Sequence, residues 1–388
     1  MGSSSCNKIC GGKNEIVLNT KSCGDNEENT NRNELIKNAS INQKFYTNFT
    51  KKFESNLPKL GKYFDLNLFN QIVPENAKNY MIENTLNAPE NIIINKNVYE
   101  MKPIQFENGN IYCGSWNEKY KMDGLGQYYI QDGNLFVDGI WDDGKLIYGR
   151  IFYNNDNIYE GEIKDSNYHG KGKLIFNNGE RYEGDFINGE ITGYGNFTFS
   201  DGTTYEGEIN KGEFKGHGVM KWINGIKFEG VFYGPILSDY GTLTGQGEKY
   251  EGEFYNNYFN GKGKYIYNNG SSYEGDFEYG LKNGKGIYKN KNDDYIYEGD
   301  WANNKPHGFG KFYNKDYIIK GVWRNGISVE IYDFEKGDPN NFDKNILNFK
   351  IEDFELLPNK LPNLEKIDNY SEKFKAETTP SYLNSFMD

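Results

Sequence analysis

Cysteine, histidine and proline are scarce in this chain of 388 residues, which holds 4 Cys, 3 His and 10 Pro. The cysteines, Cys6, Cys10, Cys23 and Cys113, crowd toward one end and cannot staple a chain of this length, so a reducing cytosolic setting is expected. No run approaches the roughly 18 apolar residues that cross a bilayer, and residues 1–20 lack the apolar core of a secretory signal. Positive charge is in deficit: 44 Lys and Arg face 56 Asp and Glu, a net charge of −12. A nucleic-acid surface draws its affinity from cations meeting phosphates, so that reading is excluded. What the chain has in abundance is glycine, 46 residues, and aromatics, 32 Tyr, 26 Phe and 5 Trp. Few catalytic domains are built from such a mixture, and no enzyme is expected.

The glycines and aromatics recur in order. Tyr-x-Gly steps begin at Tyr112, Tyr159, Tyr182, Tyr205, Tyr250, Tyr273 and Tyr297, and weaker versions begin at Val137, Phe228 and Ile319. The intervals from 112 to 319 are 25, 22, 23, 23, 23, 22, 23, 24 and 22 residues, so this span is one array. One unit, Tyr182 to Thr204, shows the design. Tyr182, Gly184 and Phe186 alternate with the acids Glu183 and Asp185, which predicts a strand with one wet face. Gly193, Gly195, Phe197 and Phe199 alternate in the same way. Asn188-Gly189 between the halves and Asp201-Gly202 after them favour tight reversals, so each repeat reads as a β-hairpin.

Glycine has a mechanical role in this pattern, because an aromatic ring can lie flat over a neighbouring strand that has no Cβ. An isolated hairpin is marginal in water, so stability must come from stacking each hairpin on the next. Ten repeats at two strands each and about 4.8 Å per strand give an elongated twisted sheet on the order of 95 Å long. A row of rings of that length needs cover from the sheet itself, the terminal segments or a second copy of the chain.

The pattern Tyr-Glu-Gly-(Asp/Glu)-(Phe/Trp/Ile), then Gly-x-Gly-x-(aromatic or aliphatic), every 23 residues, resembles the MORN (membrane occupation and recognition nexus) repeat family. The resemblance implies an all-β antiparallel array of about ten hairpins, with irregular or partly helical flanks. It also implies elongated dimers, which makes a homodimer a reasonable expectation. Its structural core is Tyr112, Tyr159, Tyr182, Tyr205, Phe228, Tyr250, Tyr273 and Tyr297 with Gly161, Gly184, Gly207, Gly252, Gly275 and Gly299. Repeat 2 departs, with Val137 for Tyr and Arg150-Ile151 where the second Gly is expected. Repeat 6 departs at Gly234-Pro235 and a shifted Gly241, which predicts a kink or bulge. Repeat 10 stops after Gly326 and resembles a terminal cap.

Four zones follow: a leader over 1–32, a partly helical flank over 33–98 with short helices expected between Asn33 and Lys62, the array over 101–330, and an acidic irregular tail over 331–388. The tail carries Phe342, Phe349, Phe354 and Leu357 among acids; it reads either as a segment folding back on the sheet or as a docking peptide. His169, His217 and His307 occupy matching places in separate repeats and read as structural, not as a metal or base cluster. The acid pairs Glu183/Asp185, Glu206/Glu208 and Glu251/Glu253 recur on the outward face and read as a solvated acidic stripe. Cys113 is placed toward the wet face and reads as incidental. No P-loop, catalytic motif, metal site or cofactor is expected.

The leader is the most informative segment outside the array. Removal of Met1 would expose Gly2, followed by small uncharged residues, which resembles an N-myristoylation site; Cys6 stands where the simple motif has Ser or Thr. One myristoyl chain binds membrane only marginally, and Cys6 and Cys10 as palmitate acceptors would supply the second anchor. The alternatives are an unmodified leader with two thiols and a Cys-x-x-x-Cys metal site. The sequence therefore reads as a non-enzymatic scaffold, tethered by its N-terminus to the cytosolic face of a membrane and presenting a strip to cytoskeletal or membrane-associated protein partners. An axonemal, ciliary or cytoskeletal component without lipid, and a regulatory partner of a phosphoinositide kinase, are the other readings.

Overall fold

In a computed structural model of the chain, the described residues are 48–93, 98–292 and 294–338. The expected lipidation residues Gly2, Cys6 and Cys10, the leader and most of the acidic tail lie outside them. The fold is mostly β, an antiparallel sheet of 23 strands that does not close on itself. The chain divides into two compact units, one through Gly189 and one from Glu190.

The first unit opens with a helix, α1, described over 48–60. Next come β1 (Lys62–Tyr63), α2 (Leu66–Ile72), α3 (Glu75–Glu83), β2 (Tyr99–Glu100) and β3 (Ile104–Gln105). The repeat strands follow as β4 (Ile111–Trp116), β5 (Met122–Ile130), β6 (Leu135–Asp142), β7 (Lys145–Phe152), β8 (Ile158–Lys164), β9 (Asn167–Ile175) and β10 (Arg181–Ile187). The second unit holds β11 (Glu190–Thr198), β12 (Thr204–Asn210), β13 (Glu213–Lys221), β14 (Lys227–Tyr233), β15 (Ile236–Gly245), β16 (Glu248–Tyr255) and β17 (Tyr258–Ile266). It ends with β18 (Ser272–Glu278), β19 (Leu281–Lys289), β20 (Tyr295–Ala302), β21 (Lys305–Asn314), β22 (Ile318–Arg324) and β23 (Ile327–Lys336).

The hairpin of β16 and β17 shows why the sequence folds this way. Gly252 lies opposite Gly263, and Gly263 lies opposite Gly275 of β18. A Cβ on Gly263 would sit 2.4 Å from the Tyr250 hydroxyl oxygen and 2.5 Å from Cε2, so the ring rests on bare backbone. Tyr250 meets Phe254 edge to face at 5.1 Å and Phe277 of the next repeat at 5.2 Å. Its hydroxyl donates to the Glu253 carbonyl at 2.8 Å. The same bond, three residues ahead, is made by Tyr112, Tyr159, Tyr182, Tyr205, Tyr273 and Tyr297. Burial pushes the hydroxyls of Tyr182, Tyr205, Tyr250, Tyr273 and Tyr297 well above the usual tyrosine range. These rings are buried within the chain itself. With the rings already covered, they do not call for a second copy of the chain.

Turns follow the expected chemistry with a distinction between the two kinds. Asn188 and Gly189 both have positive φ, as a tight two-residue hairpin requires. At Asp201-Gly202 only the glycine does, and the Asp201 carboxylate accepts the Thr203 amide at 2.8 Å.

Both glycines of the Gly-x-Gly step are needed, for different reasons. The second receives the ring. The first, at Gly170, Gly216, Gly261, Gly284 and Gly308, has φ between +61° and +104° and sits in a bulge opposite the second acid of Tyr-Glu-Gly-(Asp/Glu). That carboxylate accepts the amide just after the bulge glycine: Glu162 from Lys171 N, Glu208 from His217 N, Glu253 from Lys262 N, Asp276 from Lys285 N and Asp300 from Phe309 N, at 2.8–3.1 Å. The acids Glu183, Glu206, Glu208 and Glu253 are exposed on this face, and the second acid of each repeat in this set has the further role of holding a bulge. Register shifts are accordingly general to the hairpins. In repeat 6 the shift lies between Gly230 and Val231, and Gly241 still reaches Gly230.

Other expectations are revised. In repeat 2 the pairing places Gly149, not Arg150, opposite Gly139. The terminal cap at Gly326 is not an end, since β23 continues the pairing to Lys336. Helix α1 fits within the expected helical window, but α2 and α3 lie beyond Lys62, the window's last residue. Phe53 of α1 meets the Trp116 indole edge to face at 5.2 Å, closing the first end of the ring row. Phe69, Val73 and Ala77 of α2, α3 and their junction pack on Ile111, Cys113, Phe136, Phe152 and Ile158, the sheet face opposite the tyrosines. This face is therefore not wet in the first unit. Cys113 is fully buried there, not incidental on a solvated surface. The outward positions 111, 136, 152 and 158 are apolar, which was the sequence signal for a covering element.

Candidate partner-binding groove

Among the described residues, no such cover lies on the outward face of the second unit. There Gly252, Gly263, Gly275, Gly286, Gly299 and Gly310 of β16 to β21 form one column directed inward at the rings, so bare backbone is the floor of a groove of about 1010 Å³ on the outward side. Two walls rise because period-two alternation sends the residues flanking each glycine outward. One wall runs Glu251, Lys264, Glu274, Ile287, Glu298 and Lys311, each opposite the next in register. The other runs Lys262, Asp276, Lys285, Asp300 and Phe309. Tyr240 lies toward one end, and Phe309 with Tyr332 toward the other, their rings at 6.4 Å.

The charges largely neutralise each other. Lys262 pairs with Asp276 and Lys285 with Asp300, both at 2.5 Å, and Lys264 with Glu274 at 3.3 Å. Lys320 reaches Asp333 and Glu335, and Lys311 reaches Glu335. The hydroxyls of Tyr240 and Tyr313 donate to Glu251 and Glu298. Lysine bonding holds the Glu335 and Glu251 carboxyls below the usual range; for Asp276 burial acts upward most strongly, but the Lys262 ammonium and the Lys285 amide together outweigh it and hold the carboxyl low. Exposed pairs of this kind are worth about 0–1 kcal/mol each, so a partner can exchange them at little cost. The exposed Tyr240, Ile287, Phe309 and Tyr332 offer apolar area that no described segment covers.

The corresponding positions of the first unit are covered by a helix. Arg150 is buried between Asp138 at 3.6 Å and Glu160 at 3.4 Å, and its guanidinium lies 5.6 Å from the centre of the Tyr80 ring of α3. The Tyr80 hydroxyl donates to Glu160 at 3.0 Å, and burial raises its pKa. Burial likewise raises the Asp138 carboxyl, against the pull of Arg150. On the ring face, Lys282 replaces the usual apolar residue: it is buried, donates to the Tyr267 hydroxyl at 2.8 Å and lies 5.4 Å from the Trp301 ring centre.

Of the residues singled out from sequence, the tyrosines, Phe228 and their glycines line up on the buried face, and the groove is what their glycines leave on the other side. His169, His217 and His307 lie on β9, β13 and β21, far apart in sequence order, and among the described residues no group of three or more His, Cys, Asp or Glu could hold a metal ion. No helix among them is long and apolar enough to cross a membrane. Sequence reasoning missed Arg150, Lys264 and Phe309 as site residues. Phe309 had a signal: it occupies the middle of Gly-x-Gly, where Lys171, Lys262 and Lys285 stand elsewhere.

No curated protein matches the sequence. Among solved structures, the TCP10 domain of Danio rerio CPAP aligns at 14% identity over 52% of this chain and 88% of its own, with a TM-score of 0.24. The TCP domain of Drosophila melanogaster SAS-4, solved with a proline-rich motif of Ana2, aligns at 14% identity over 43% and 97%, with a TM-score of 0.26. Scores this low carry no weight for function. The family comparison is specific: residues 112–135, 159–181, 182–204, 205–227, 250–272, 273–295 and 297–317 match the MORN repeat. The segments left out between them, 136–158 and 228–249, are repeats 2 and 6, where the sequence departs, yet each keeps its Gly–Gly pair. Seven MORN repeats are therefore detected in the chain.

Proposed function

We propose that the chain is a non-enzymatic scaffold whose second unit binds a protein partner in its outward groove. The observation that carries this is the side-chain-free floor between two walls of weak, exchangeable ion pairs, with uncovered aromatics toward both ends. A sheet presenting such a strip suits docking, and among the described residues no group of three or more His, Cys, Asp or Glu could hold a metal ion. The partner belongs to the cytoskeletal or membrane-associated class, and acylation at Gly2, with Cys6 and Cys10, would hold the scaffold on the cytosolic face of a membrane. The acidic net charge disfavours direct binding of anionic headgroups by the repeats.

Two measurements test the reading. Proximity labelling from the full chain should lose a defined set of neighbours when Phe309→Asp and Ile287→Asp are combined, with the circular dichroism spectrum unchanged; an unchanged neighbour set rejects the groove. Labelling with a clickable myristate and membrane flotation, wild type against Gly2→Ala, tests the tether. Equal flotation of both without label favours the lipid-free cytoskeletal component.

A further inference from the structure

We infer that the groove of the second unit takes an amphipathic helix laid across its strands, with a tyrosine seated on the row Glu251–Lys264–Glu274. This rests on the docking role proposed above and names its partner's chemistry. The first unit supplies the template. Asp138, Arg150 and Glu160 stand one residue before Gly139, one after Gly149 and one before Gly161, and they face each other across β6, β7 and β8. Glu251, Lys264 and Glu274 stand in the same places about Gly252, Gly263 and Gly275 on β16, β17 and β18. Both rows read acid, base, acid.

Over the first row lies α3: the Tyr80 ring covers the cation, its hydroxyl donates to the second acid, and Met81 reaches Gln127 on β5. Covered, the side chains of Arg150, Asp138 and Glu160 are 2%, 20% and 18% exposed. Uncovered, those of Lys264, Glu274 and Glu251 are 53%, 66% and 44% exposed. The charge pattern that α3 satisfies in the first unit is thus repeated in the second with its place vacant among the described residues. Dimensions agree: nine residues of α3 span ~13.5 Å, and β5 to β8 are three spacings, ~14 Å. The groove from β16 to β21 covers five spacings, ~24 Å, which fits a helix of ~16 residues. A strand cannot add to this floor, because its backbone groups already pair within the sheet.

The probe is a hydrocarbon-stapled, fluorescein-labelled peptide with the sequence of residues 74–86, titrated against the full chain by fluorescence anisotropy. Saturable binding is expected, weakened at least ten-fold by Lys264→Glu in the protein, an exposed position where folding is not at stake. A Tyr80→Ala peptide should lose a similar factor. Less than a two-fold effect from either change overturns the proposal. So does tighter binding of decaproline at the same site, which would make the occupant an extended proline-rich segment, or a dimer by light scattering that Lys264→Glu abolishes, which would make it a second copy. If the peptide fails while Phe309→Asp/Ile287→Asp still strips neighbours, docking stands and the helix is wrong; if both fail, the groove reading falls too.

Discussion

Replacing Gly263 with Ala should destabilise the second unit by about 3–5 kcal/mol, an unusual cost for one methyl group. The new Cβ would lie 2.4, 2.5 and 2.6 Å from Oη, Cε2 and Cζ of Tyr250, where carbon atoms prefer about 3.5–4.0 Å. The ring would have to lift by ~1 Å. It cannot do so freely, because Phe254 and Phe277 hold it edge to face from two repeats. Overpacking costs ~1–3 kcal/mol, loss of the hydroxyl bond to Glu253 O ~1 kcal/mol, and spoiled ring pairs ~0.5–1.5 kcal/mol. Tyr250→Ala removes the obstacle, so Gly263→Ala should cost far less in that background. Gly252→Ala is the contrast: its Cβ would meet backbone, Gly263 Cα at 2.5 Å and Lys262 O at 2.6 Å, as well as the Tyr250 hydroxyl at 2.6 Å, so removing the ring should leave most of its cost in place. Urea-dependent hydrogen exchange on fragments from 248–278 gives the local stabilities. A cost below ~1 kcal/mol, or a cost independent of Tyr250 within ~0.5 kcal/mol, would refute the ring-on-glycine account.

Stability should fall as pH rises past about 10. The buried Tyr182, Tyr205, Tyr250, Tyr273 and Tyr297 hold raised pKa values in the folded chain, while unfolded tyrosine ionises near 10. Their contribution is fully present below that pH and is lost above it; tyrosinate absorbance should therefore rise abruptly with unfolding, and a smooth titration of all tyrosines near pH 10 would count against it. Glu253→Ala should speed exchange of the Lys262 amide about ten-fold, one hydrogen bond's net worth, while Glu251→Ala leaves that amide unchanged. Arg150→Met strands Asp138 and Glu160 beneath α3 and should cost ~3–5 kcal/mol, seen as new tryptic cleavage at Lys78 under native conditions; unchanged protection at Lys78 would mean the ion pairs do not hold the helix.

The 23-residue period, the alternation of aromatic with acid and the Asn-Gly reversals carried the hairpins, the antiparallel sheet and the ring-on-glycine contact, because each depends on neighbours in sequence or on the adjacent repeat. Residues 136, 152 and 158 also declared, by being apolar where lysine, threonine and serine mostly stand in the second unit, that something covers them. Which segment does so was not legible: α2 and α3 reach the sheet from more than fifty residues away, and contacts at that separation follow from chain path and shape, which no local pattern encodes. The double duty of Gly-x-Gly was hidden for a related reason, since only the paired strands show that one glycine turns the bulge, the other receives a ring, and the acid nine residues earlier ties the first in place. The groove belongs wholly to the tertiary structure. It is the space between two rows of outward side chains over a column of inward-directed positions, and such rows exist only once the strands are in register.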